Sequence, residues 1–237
     1  MNVSDKVHLV LRRRLMAGYY DPGAQLKEES VAADLDVSRT PVRAAIQRLI
    51  AEGLLEPAPK RGAVVTPWRI EDAEDIFNLR VLLEGYGAAL STRNAGEETL
   101  DRMERLNEEM AAAVRSSDPD RLDIIHKANY EFHLALYQDC GSAHLRTFGS
   151  SLLEYPLVIG GFFIYTEADM DESIRQHTEI ISGLRARNAE WATAAVKCHL
   201  TAAIVRFRKA GTNKDGTLLR PPPHMLLADA PDRDGAS

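Results

Sequence analysis

Apolar residues recur at helical spacing along most of the chain, and one short region near the front departs from that period. Val7 to Ala17 places apolar side chains three and four apart, and Gly18 follows as a stop. The stretch "GYYDPGAQL" interrupts the pattern. Its Asp21-Pro22-Gly23 supplies residues that fix φ or tolerate positive φ, which predicts a turn. Glu28 to Leu35 predicts a short second helix with Val31, Ala32 and Leu35 inward. Asp36 and Val37 connect it to a third helix over about Ser38 to Glu52, with Val42, Ala45, Ile46, Leu49 and Ile50 buried and Gly53 as stop. "LLEPAPKRGAVVTPW" then predicts a strand, a Pro/Lys/Arg/Gly tip and a β-branched return strand. Three helices and a hairpin in this order predict winged helix-turn-helix architecture.

Pro67-Trp68-Arg69 is expected to be a linker. Beyond it the spacing is helical almost throughout, in segments near 71–94, 97–115, 119–139, 142–165, 170–187 and 189–210, with breaks at "NAGEE", "SSDPD", "DCGS" and "ARNAE". The expected fold is therefore mainly α: an N-terminal winged helix-turn-helix domain over residues 1–68, then an all-helical antiparallel bundle over 69–210. The tail 211–237 is rich in Gly, Pro and Asp and is expected to be disordered.

Net charge is −6 over 237 residues, which argues against a nucleic-acid partner until its distribution is considered. Residues 1–68 hold 10 Lys+Arg against 8 Asp+Glu, and the remainder holds 19 against 27. The front is thus mildly basic and the acidity belongs to the helical part. The longest apolar run, Leu157 to Tyr165, is far short of the roughly 20 residues of a membrane helix. The N-terminus carries its charges after its apolar residues, the reverse of a secretory signal, and Cys140 and Cys198 do not make a disulfide scaffold. These features predict a cytoplasmic protein with no membrane partner.

Candidate chemistry begins at "VSRTPVRAAIQRLIAEGLL". Ser38 and Thr40 can cap the first N–H groups of the third helix, and Pro41 suits its first turn. Arg39 and Arg43 are four apart and share a face pointing away from the apolar stripe. In a helix-turn-helix that helix enters the major groove, where arginine pairs with guanine or phosphate. Spacing alone leaves solvated surface charges as an equal reading. The basic tip Lys60-Arg61-Gly62 favours the DNA reading, because a wing must lie against phosphate.

The order Pro22-Gly23, Leu26, Glu28, Ser38-Arg39-Thr40-Pro41-Val42-Arg43, Leu49, Gly53-Leu54 and Arg61-Gly62-Ala63-Val65 is similar to the DNA-binding domain of GntR-family regulators over residues 11–65. The resemblance implies that Ser38, Arg39, Thr40 and Arg43 meet the operator and that Arg61 and Gly62 form the wing. Two departures stand out. Asp36 occupies a position where glycine is usual, so the turn is expected to be made differently. Glu29 stands where some members carry a basic DNA contact, and no contact is carried over to it.

In the helical part, "NYEFHLALYQ" puts Asn129 and His133 on one helix face, and "RQHTEIISGL" and "VKCHLTAAI" each place one histidine, His177 and His199, beside an apolar stripe. Three imidazoles from three helices can converge on a divalent ion. Spacing alone favours ordinary boundary histidines over ligands. However, residues 71–210 resemble the FCD effector-binding domain of the FadR subfamily through "LRVLLEGYGAAL", "NYEFHLALYQDCGSAHL" and "IRQHTEIISGLRARNAEWATAAVKCHL". That resemblance implies a metal held by an Asp and three His, with Asn129 here in the Asp position. Histidine-rich ligation favours zinc or nickel-like ions. His126, one heptad before His133, is read as structural or as supporting the ligands. "LEYPLVIGGFFIYTEADM" is expected to be a core helix, with Tyr155, Phe163 and Tyr165 lining the effector cavity. Arg80 is expected to pair with Glu84 or to bind an acidic effector.

The expected function is a transcriptional repressor that binds a palindromic operator as a homodimer and responds to a small carboxylate at a metal-containing helical domain. The alternatives are a metal-dependent enzyme fused to a DNA-binding domain, and a regulator for which the metal itself is the signal. The chain has no His-Glu-x-x-His helix and no second carboxylate at recognisable spacing from the histidines, which disfavours the enzyme.

Overall fold

The computed structural model describes residues 2–16, 19–58, 62–67, 69–118, 120–154 and 164–210. The chain divides into two compact units, the second beginning at Arg69. The predicted tail, 211–237, lies outside the described residues.

In the first unit α1 (Val3–Met16), α2 (Glu28–Asp34) and α3 (Arg39–Ala51) combine with β1 (Gln25–Leu26), β2 (Leu55–Pro57) and β3 (Ala63–Val65). Val7, Leu11 and Leu15 form a stripe on α1, which packs on α3 through Val42, Ala45, Ile46 and Leu49. Ile50 and Leu35, expected inside, are only half-buried, since each lies at the margin of its stripe. Polar ties reinforce the packing: His8 bonds Glu52 at 2.6 Å, and Arg48 reaches Asp5 at 2.9 Å. Helix α1 starts four residues earlier than its apolar spacing predicts. Asn2 and Asp5 exchange side-chain bonds with each other's backbone N–H and cap the added turn.

The sheet runs β1-β3-β2, all antiparallel. Strand β1 falls within the region expected to be only a turn; two residues are too few to show a period. Gly62 sits beside it with φ +119°, and a Cβ there would lie 2.3 Å from the Leu26 carbonyl oxygen. Only glycine lets the wing cross β1 so closely. The expectation of a different turn before α3 is not met. Asp36 adopts φ +50°, the left-handed backbone a glycine would supply, and aspartate is one of the few residues that tolerates it.

The second unit is helical: α4 (Ile70–Asn94), α5 (Glu97–Val114), α6 (Arg121–Gln138), α7 (Ala143–Leu153), α8 (Glu167–Arg185) and α9 (Ala189–Ala210). Helix α4 packs along α9 and also touches α6, α7 and α8, while α5 lies on α6 and α8. The segment predicted as one helix over 142–165 ends as α7 at Leu153, and Tyr165 is not helical. Helix α8 begins earlier than predicted because Thr166 and Asp169 form a reciprocal capping box. Helices α4, α6, α8 and α9 bring the candidate site residues together.

Candidate functional site

The first candidate surface is the start of α3. Ser38 occupies the N-cap position with extended backbone, but its side chain makes no capping bond. The expected cap is absent, and Ser38 and Thr40 are both exposed on the outer face. Arg39 and Arg43 also face outward, as the stripe requires, yet they are not merely solvated. Arg43 donates from Nε and Nη2 to the two oxygens of Glu28, both at 2.9 Å. Arg39 donates from Nη1 to Glu29 at 2.7 Å and from Nη2 to Glu28 at 3.4 Å. The Arg43 bonds, joined by Arg39, hold the Glu28 carboxyl below its ordinary range. Sequence reading missed this clamp because α2 and α3 are separate helices and their relative rotation has no linear signature. Gly62 is described, whereas Arg61 lies outside the described residues.

The second candidate site is a buried cluster of His133 from α6, His177 from α8 and His199 from α9. One ring nitrogen from each lies within 4.8 Å of the others. Ring centroids are 4.6–5.3 Å apart, and Phe132 stacks on His177 at 3.9 Å. A shared ion at about 2.0–2.1 Å from each nitrogen asks for donor spacings of roughly 3–3.5 Å, so the rings would close on it by up to about 1.5 Å.

The hydrogen bonds around the rings fix which nitrogen is available. His133 Nδ1 meets Glu84 Oε2 at 2.6 Å, His177 Nδ1 meets Asn107 Oδ1 at 3.1 Å, and His199 Nδ1 meets Gln176 Oε1 at 3.1 Å. The two amides cannot be turned around. Asn107 Nδ2 donates to the Ile174 carbonyl and Thr178 Oγ1, and Gln176 Nε2 donates to Glu172. All three Nδ1 atoms therefore face acceptors and carry the proton, which leaves a lone pair on each Nε2. Burial depresses all three imidazole pKa values; Glu84 partly offsets this for His133, while the neighbouring histidines add to it for the other two. Neutral rings are what a metal ion needs. His177 Nε2 is buried without a partner, and so is Asn129 Oδ1, one turn before His133. A buried orphan acceptor is costly, and a cation would satisfy both.

Glu84 is fully buried. Burial alone would raise its pKa, but Arg80 and His133 outweigh that and keep it ionised. Arg80 donates from Nε to Glu84 at 2.6 Å, the first of the two expected roles, and its buried Nη2 has no partner. The sequence reading paired Glu84 with Arg80 but missed its second role as the anchor of His133. It also missed Arg206, two turns after His199 on α9. Arg206 is buried, bonds Asp169 and Glu172, stacks over the half-buried Tyr165 ring at 4.9 Å, and leaves Nη1 unpartnered. Its i+7 spacing from His199 was the available signal. Tyr155 and Phe163 lie outside the described residues. Glu131 faces elsewhere and pairs with Arg102 at 2.9 Å.

The fold and the two sites define a helix-turn-helix regulator of transcription. Residues 3–65 match the gntR family of bacterial regulatory proteins and residues 75–202 match the FCD domain, so the chain belongs to the GntR family and carries an FCD domain. It is 30% identical over 193 residues to the uncharacterized HTH-type transcriptional regulator YdhC of Bacillus subtilis (strain 168), covering 80% of this chain and 84% of that one. It is 26% identical over 200 residues to the HTH-type transcriptional repressor RspR of Escherichia coli (strain K12), covering 84% and 86%. Its fold is similar to that of E. coli McbR/YncC, with a TM-score of 0.67 at 23% identity over 89% of this chain and all of that one. These relatives are regulators of transcription, not enzymes. Among the described residues, no helix is long and apolar enough to cross a membrane.

Proposed function

We propose that this chain is a homodimeric repressor of the FadR subfamily, acting in the cytoplasm, whose helical unit holds a divalent ion and a small organic acid. The observation that carries the metal reading is the proton arrangement of the three histidines, each with Nδ1 committed to an oxygen acceptor and Nε2 left for a ligand. Asn129 would add a neutral oxygen, and the set of three nitrogens and one amide suits zinc or nickel-like ions. An anionic effector is supported by Arg80 Nη2, a buried donor without a partner. The repressor assignment follows the similarity to RspR. Operator binding would use Ser38, Arg39, Thr40, Arg43, Arg61 and Gly62. Effector binding would change operator affinity by about 5–150-fold, the usual range of allosteric coupling.

The His133→Ala/His177→Ala double variant tests the metal centre. Wild-type protein is expected to carry about one ion per chain and the variant close to none, by elemental analysis. An unchanged metal-to-protein ratio would end the proposal. Adding candidate organic acids to the metal-loaded wild type, with duplex binding as the readout, tests the effector. A response to chelator alone, with no acid effective, would favour the metal as the signal.

The dimer reading rests on α4. Leu79, Leu82 and Tyr86 are 46%, 67% and 58% exposed at i, i+3 and i+7, an apolar stripe on the face away from the core. Leu82→Arg is expected to convert the dimer to a monomer by sedimentation and to weaken duplex binding with it. A variant that sediments as the wild type does would show that this stripe is not the interface.

A further inference from the structure

Two acids at the start of α2 face two arginines at the start of α3, but the acids are not equivalent. Glu28 is 7% exposed and holds Arg43 through two parallel bonds. That grip leaves Nη1 of Arg43 turned away from the carboxylate, so the outward edge of the guanidinium is oriented. Glu29 has a side chain that is 72% exposed and makes a single 2.7 Å bond to Arg39. With Nη2 of Arg39 directed to Glu28 at 3.4 Å, both ends of its fork are turned toward the protein. Arg39 can meet a phosphate only by leaving Glu29 or sharing with it. When it does, the carboxylate of Glu29 remains beside the DNA, well inside the screening distance of about 8 Å at physiological salt.

We propose that Glu29 is a specificity-determining residue of the DNA face, holding Arg39 back from phosphate and so weakening binding to arbitrary duplexes more than binding to the operator. The proposal rests on the DNA-binding reading of this surface. Sequence-independent affinity comes from Lys and Arg neutralising phosphates, so a negative charge that engages one of those arginines acts directly on it. On the operator the same charge is offset, because the ordered contacts of Arg43 and its neighbours fix the register. The single bond of Arg39 to the exposed Glu29 is weak enough to exchange on binding, whereas the two bonds of Arg43 to the buried carboxylate of Glu28 persist and orient.

The test compares full-length wild type with Glu29→Gln, which keeps the shape and removes the charge. Each is titrated against a random-sequence duplex and against a duplex enriched by selection with the wild type, over a range of salt. Glu29→Gln is expected to bind the random duplex roughly two- to thirtyfold more tightly for a dimer, the scale of two exposed pairs. Its log-affinity against log-salt slope is expected to steepen by about 0.9 per chain. The ratio of enriched to random affinity is expected to fall. A random-duplex affinity and salt slope equal to wild type would overturn the proposal, and so would an equal gain on both duplexes. A wild type with no salt-dependent duplex affinity at all would instead overturn the DNA-binding reading, and this one with it.

Discussion

Glu84→Gln is expected to destabilise the helical unit by about 3–5 kcal/mol and to weaken metal binding by roughly 10–100-fold. The two effects have different causes. Glu84 is fully buried and accepts 2.6 Å bonds from both Arg80 and His133. A neutral amide leaves the buried Arg80 cation without its counter-charge, which is the stability loss. The amide also presents an NH2 to one of two donors. If that donor is His133 Nδ1–H, the ring favours the other tautomer and Nε2 carries the proton instead of a lone pair. Melting in the presence of chelator measures the first effect, expected as a drop of roughly 6–20 °C. Competition titration with Zn2+ measures the second. The Arg80→Leu/Glu84→Leu pair separates them: with no charge left to strand, stability is expected to recover, while metal affinity stays low because His133 has lost its anchor. A Glu84→Gln protein that melts and binds Zn2+ as the wild type does would remove Glu84 from both roles.

Arg43→Ala is expected to abolish useful operator recognition while leaving the fold intact. One arginine reading a base is worth about 1–3 kcal/mol, so a dimer loses about 2–6 kcal/mol, roughly thirtyfold to twenty-thousandfold in affinity. The Arg43 side chain is 57% exposed and its partner Glu28 keeps a 3.4 Å contact to Arg39, so losing the pair is expected to cost about 1 kcal/mol of stability, too little to unfold the unit. Titration by fluorescence anisotropy against a wild-type-selected duplex, beside a thermal melt, checks both halves. Wild-type affinity in the variant would take Arg43 out of the interface, and a large drop in melting temperature would make it a structural residue.

Much of this was legible in the chain. The stripe Val42, Ala45, Ile46 and Leu49 has helical period whether or not its neighbours are known, and it fixes which side of α3 faces out. The three histidines sit beside apolar runs on three segments, and a period of 3.6 is enough to say that each can point inward. The missed elements were local but too short to show a period: the two residues of β1, and the cap at Asn2 and Asp5 that lengthens α1. The end of α7 at Leu153 was hidden because neither Leu153 nor Glu154 is a glycine or proline that would mark a stop.

The sequence by itself determined the order and amphipathic faces of the helices, the outward basic tip of α3, and the residue types from which a cation site can be built. Only the tertiary structure decided which charges meet: that Glu28 and Glu29 grip the arginines, that Glu84 serves Arg80 and His133 together, and that each histidine turns Nδ1 to an oxygen. Periodicity is a property of one helix and survives without context. A hydrogen bond between helices depends on their relative rotation and depth, which are set by packing against every neighbour at once.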